Sequence, residues 1–132
     1  LLQTTNLPDT NTEVSMRLLL PNAFLSIVSN PEDTSTLTVR ASRAGDIETV
    51  FGCGFEVMTL PGRVYPFRAF IPRRIVADTV AVHIFHINYG RFRDAVADAP
   101  LYDAYTKVYD VMADLQDSAQ RSVPPCNGSR SL

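Results

Sequence analysis

The chain of 132 residues has no tryptophan, a single lysine, two cysteines and no long apolar run. Each scarcity removes a class of protein. Cys53 and Cys126 lie far apart, the second in a polar tail, so they form neither a disulfide framework nor a zinc ligand set. Two reduced thiols in a cytoplasm is the plain expectation. The most apolar stretch, Ile75 to Ile87, is interrupted by Asp78, His83 and His86, short of the roughly 18 uninterrupted apolar residues that a spanning helix needs. The opening LLQTTNLPDT has no basic flank and no sustained apolar core, so it does not read as a secretory signal. No GxGxxG, P-loop, HExxH, GxSxG or calcium-loop pattern occurs, which removes the well-signposted nucleotide, zinc-protease, serine-hydrolase and EF-hand chemistries.

What is present is the composition of an ordinary folded domain, 45% apolar and 20% charged, long enough for one hydrophobic core. Residues 1–15 are polar and without periodicity, and the expectation is a flexible leader with a native start at Met16. Residues 16–120 are expected to form a single domain, and residues 121–132, with Pro124, Pro125 and Gly128, a disordered tail. The Asn127-Gly128-Ser129 triplet matches a glycosylation acceptor by chance.

Four strands and three helices are predicted between the ends. Ala23 to Ser29 is apolar on both faces, and Thr36 to Ser42 alternates, with Leu37, Val39 and Ala41 inward. The turn residues Asn30-Pro31-Glu32-Asp33 join these two strands as a hairpin. Gly45 to Phe51 spaces Ile47, Val50 and Phe51 as a short helix, with Asp46 and Glu48 in its first turn and Gly52 as its stop. Phe55 to Leu60 and Tyr65 to Ile71 read as a second hairpin about Pro61-Gly62, and Pro66 suggests a strand at a sheet edge. After Pro72, the residues Ile75, Val76, Thr79, Val80, His83, Ile84 and Ile87 make one broad stripe that a helix would lay on the sheet. Leu101, Tyr105, Val108, Met112 and Leu115 recur at spacings of four and three in a last helix with a packed seam. The order β-β-α-β-β-α-α predicts an α+β fold, a four-stranded antiparallel sheet with helices packed mainly on one face.

Candidate sites are few. His83 and His86, three apart on a helix, offer two ligands and no third, so a hydrogen-bonded histidine within an apolar stripe is the plainer reading than a metal or acid–base site. Cys53, between Gly52 and Gly54, has no basic partner to activate it. No cofactor, metal or catalytic set is predicted. From Arg40 to Arg93 there are eight arginines against four carboxylates, whereas Asp94 to Asp117 holds six aspartates against Lys107. Arg40, Arg63, Arg68, Arg73, Arg74, Arg91 and Arg93, with aromatics nearby, are the candidates for contacting single-stranded nucleic acid. An acidic pI near 5.6 weighs against that. Phe85 lies opposite the stripe of its helix, and Tyr102, Tyr105 and Tyr109 crowd one side of the next. These four are the candidates for a protein interface, either a homodimer or a partner surface.

FLSIVSN (Phe24 to Asn30), LTVRA (Leu37 to Ala41), AGDIETVFG (Ala44 to Gly52), YPFRAFIP (Tyr65 to Pro72) and NYGRFRDAV (Asn88 to Val96) resemble a family of small, uncharacterised bacterial proteins. The resemblance spans Phe24 to Leu115 and implies a compact cytoplasmic domain. It brings no activity, cofactor or catalytic residue with it. The chain ends also resemble reading frames carried in integron gene cassettes. The expected function is a non-enzymatic binding or accessory protein acting through a protein surface, without membrane insertion. A nucleic-acid module using the arginines is the alternative, and an enzyme built on His83, His86 or Cys53 comes third.

Overall fold

A computed structural model describes residues 15–119; the expected leader up to residue 14, the tail from residue 120, Cys126 and the Asn127 triplet lie outside the described residues. The chain divides into two compact units, with the break between Ala97 and Asp98. The first holds strands β1 (Ser15–Leu20), β2 (Ala23–Ser29) and β3 (Thr36–Ala41), helix α1 (Asp46–Phe51), strands β4 (Met58–Thr59) and β5 (Phe67–Pro72), helix α2 (Arg73–Phe85) and a 3-10 turn, Phe92–Ala95. The second holds one long helix, α3 (Ala99–Ala119).

Among the described residues the fold is mixed α+β with three α-helices, and every strand pair is antiparallel. The predicted count of four strands is corrected to five, in the order β1-β2-β3-β5-β4. The strand missed is β1. Its three consecutive leucines, Leu18 to Leu20, mask the alternation that marks a half-buried strand. Pro21-Asn22 then closes a two-residue hairpin that pairs Leu20 with Ala23 and Leu18 with Leu25. The predicted Phe55–Leu60 strand shrinks to Met58 and Thr59, which pair with Arg68 and Phe67. Around it the backbone is taken up by a wide turn, in which the Leu60 N–H donates to the Pro66 carbonyl at 2.7 Å and Gly62 adopts a φ of 83°. The strand that follows Pro66 therefore lies between β3 and β4 and is not the outermost one.

Strand register sorts the side chains into two faces. Leu18, Leu25, Ile27, Leu37, Val39, Ala41, Phe67, Ala69 and Ile71 share one of them. Ile47, Val50 and Phe51 of α1 and Val76 and Val80 of α2 pack against it, so both short helices cover the same side. Asp46, predicted only as a favourable charge in a helix's first turn, does more than that. It is buried, its Oδ2 accepts the Phe24 N–H at 3.1 Å, and its Oδ1 accepts from Nη2 of Arg43 at 3.1 Å. One carboxylate thus satisfies a backbone donor at the start of β2 and fastens α1 to the sheet.

In the second unit Asp98 caps α3. Its Oδ1 accepts the Leu101 N–H at 3.1 Å, and its carbonyl accepts the Tyr102 N–H at 2.8 Å. The seam predicted to be packed is open over most of its length, with Val108, Met112 and Leu115 exposed.

Candidate functional site

Pro72 ends β5 and is the N-cap of α2, with a φ of −53° and an extended ψ of 137°. The predicted stripe then divides. Val76 is buried and Val80 half-buried against the core. Beyond them Val82, Ile84, Phe85 and Ile87 are all more than half exposed, Phe85 reaching 88%. At 100° per residue Val82, Ile84 and Phe85 point to different sides of the helix axis, and Ile87 follows just beyond the C-cap His86, so the end of α2 carries apolar side chains on several sides. A helix that is apolar on all sides is normally buried. Here the apolar pattern continues past the point where the sheet of its own chain stops covering it.

On one side of this end lies a groove of about 590 Å3, within the range of sites that hold small molecules or side chains. Leu18, Leu20 and Pro21 line it from β1 and its turn, Val50 from α1, and Val80, Ile84 and Ile87 from α2 and the residues after it. His83 and His86 also line it. The His83 Nδ1 is 3.0 Å from the Thr79 carbonyl, and the His86 Nδ1 is 2.9 Å from the Val82 carbonyl. Because a carbonyl oxygen only accepts, each Nδ1 carries a hydrogen in these contacts, and wherever a ring is neutral its Nε2 is the acceptor. Two such nitrogens can receive a hydrogen bond from a donor in the groove. Among the described residues no three His, Cys, Asp or Glu side chains gather where they could hold a metal ion. Cys53 is exposed in a turn and is not among the groove residues.

The arginine candidates do not form one patch by the contacts they make. Arg74 pairs with Asp78 at 3.8 Å, Arg91 with Asp94 at 3.7 Å, and Arg73 donates from Nε to the Thr34 carbonyl at 3.1 Å. Arg63 is exposed in the turn before β5, and Arg93 belongs to the 3-10 turn. Arg40 and Arg68 do come together. Register aligns Arg17, Ser26, Arg40, Arg68 and Met58 as one row across all five strands, on the face away from α1 and α2. Arg40 donates to the Ser26 hydroxyl at 2.8 Å and stacks its guanidinium 4.7 Å from the centre of the Tyr65 ring. The Arg17 Nε donates to the Tyr65 hydroxyl at 3.2 Å. Ser26, Val28 and Thr38 on this face are buried, Arg40 and Arg68 are half-buried, and Arg17 is exposed. Arg17 was not among the sequence candidates because its strand was not recognised. Once β1 is drawn, its alternation with Met16 and Leu18 places it on this face.

Of the four interface candidates, Phe85, Tyr102 and Tyr109 are exposed, whereas Tyr105 is buried. Sequence reasoning singled out Phe85 but missed Val82, Ile84 and Ile87, the last two having been assigned to the stripe on the sheet. No protein-family model, curated protein or solved structure matches the chain.

Proposed function

We propose that this chain is a non-enzymatic binding or accessory protein of the bacterial cytoplasm, cassette-borne in origin, whose working part is an apolar protein-binding surface at the end of α2. The observation that carries the reading is the exposure of Val82, Ile84, Phe85 and Ile87 on one helix end. Soluble monomers rarely leave contiguous apolar patches beyond a few hundred Å2 uncovered, and larger ones mark interaction sites. Aromatic anchors such as Phe85 contribute most of the binding energy where they occur at interfaces.

The test compares the whole chain with Phe85→Glu, a substitution at a side chain that packs on little of its own protein. Each is expressed in a bacterial host and recovered with its bound proteins, which are counted by quantitative mass spectrometry. The expected result is one stoichiometric companion, another copy included, retained at least tenfold better by the native chain. Identical companions for both chains, or none for either, would overturn the reading. The nucleic-acid alternative predicts single-strand binding that weakens steeply with salt. No binding at about 50 mM salt would dispose of that alternative.

A further inference from the structure

We infer that the chain forms a two-fold dimer in which β1 pairs antiparallel with β1 of a second copy, extending the sheet from five strands to ten. The inference rests on the reading that uncovered apolar surface here is interface, and it names the second copy as one occupant. Three observations point to this edge. First, the two sheet edges differ. At one, β4 has only two residues; at the other, β1 has six, with no proline, no lysine and a single charge, Arg17. Among the described residues β1 has a neighbour on one side only. Natural sheets blunt such edges unless another strand is to pair there.

Second, a self-complementary register exists for the pairing. The two-residue Pro21-Asn22 turn makes Leu20 and Ala23 the hydrogen-bonded closing pair. By alternation, Leu18 and Met16 also direct their backbone groups to β2, while Ser15, Arg17 and Leu19 direct theirs outward. Centring the two-fold axis on Arg17 would set two guanidinium groups opposite each other. Centring it on Leu18 sets Arg17 against Leu19 of the other copy, and Met16 against Leu20. That register has no like-charge pair, and the facing row Met16-Leu18-Leu20 is apolar throughout.

Third, apolar side chains stand open on β1 and around the groove that it lines: Met16, Val82, Ile84 and Ile87 are all more than half exposed. The groove lies on the same side of the sheet as the Met16-Leu18-Leu20 row, and Leu18 and Leu20 belong to both.

The experiment uses the full chain. Light scattering after size exclusion, from micromolar to sub-millimolar protein, is expected to give twice the 14.6 kDa chain mass. Arg17→Pro removes an N–H that points away from β2 together with the Arg17–Tyr65 hydrogen bond, and dimer dissociation should rise roughly 100-fold, whereas Arg17→Ala, which loses the same side-chain bond and keeps the N–H, should leave it within a few-fold. In a background lacking Cys53 and Cys126, Leu18→Cys places two thiols across a non-hydrogen-bonded pair, about 4.5 Å apart between Cα atoms, within disulfide range. It should cross-link fully under mild oxidation. Met16→Cys, which faces Leu20, should not. A dimer indifferent to Arg17→Pro, or one that cross-links through position 16 in place of 18, overturns the β1 pairing. A monomer at every concentration also overturns it, whether the edge is taken by residues of the same chain or by solvent. If that monomer still holds a companion through Phe85, the proposed function stands without the dimer.

Discussion

The two halves of α2 carry the same apolar periodicity and meet opposite fates. In the first, Val76 and Val80 sit on Ala69, Ile71 and their neighbours in the core; in the second, Ile84 and Ile87 continue the stripe into solvent and a groove. Periodicity reports which side of a helix is apolar, and it is silent on how far the covering surface extends. The sheet ends before the helix does. A stripe longer than the surface beneath it leaves apolar side chains open at its far end.

The sharpest way to test this contrast is to place the same charge in each half. Val76→Asp puts a carboxylate without a partner between helix and sheet and should cost about 3–5 kcal/mol, enough to lower the urea midpoint drastically or prevent folding. Ile84→Asp, eight residues on along the same stripe, should stay within about 0.5 kcal/mol for the isolated chain. Equal losses would mean that the end of α2 is as much a part of the core as its beginning.

A second pair of substitutions sets a buried carboxylate against an exposed one. Asp46 holds the Phe24 N–H and the Arg43 guanidinium with its side chain only 5% exposed. Asp46→Ala leaves the Phe24 N–H without its acceptor and removes the Arg43 ion pair, and should cost about 1–3 kcal/mol in denaturant melts. Asp78 pairs with Arg74 at 3.8 Å with both side chains mostly in water, and Asp78→Ala should change stability by less than about 0.5 kcal/mol. A cycle with Arg43→Ala would apportion the first value between the ion pair and the backbone bond.

These contrasts also mark what the sequence made legible. The β2–β3 hairpin, the α1 stop at Gly52 and the apolar stripe of α2 follow from period and turn chemistry, because each is a local signal. The fifth strand was lost because three adjacent leucines blur the alternation, although Pro21-Asn22 marked the turn that follows it. The role of Asp46 was not legible, since its partner Phe24 lies 22 residues away and only the fold brings them together. The groove is of the same kind: β1, α1 and α2 each contribute apolar residues that look like core in isolation. Phe85 was legible because it breaks the pattern of its helix, whereas Ile84 and Ile87 obey the pattern and were hidden by it.

The smallest effect expected lies in the β2–β3 turn, the most local of these features. The Asp33 carboxylate accepts from the Ser35 hydroxyl at 2.6 Å and the Ser35 N–H at 3.0 Å. Both bonds favour the charged form, the hydroxyl more, so its pKa falls below the ordinary 3.8. A carboxyl with a lowered folded pKa contributes stability that is complete above the unfolded value and is lost as pH falls through the folded value. Stability should therefore decline slightly on acidification below about pH 4 from this group. Ser35→Ala removes the larger cause, so the Asp33 titration followed by NMR should move back up toward 3.8 with the hairpin intact. An unchanged midpoint would show that the backbone N–H alone sets the shift. A change at Ile84 or Ile87 in the same spectra would show that the turn and the open end of α2 are coupled, contrary to the independence of local turn and uncovered surface argued above.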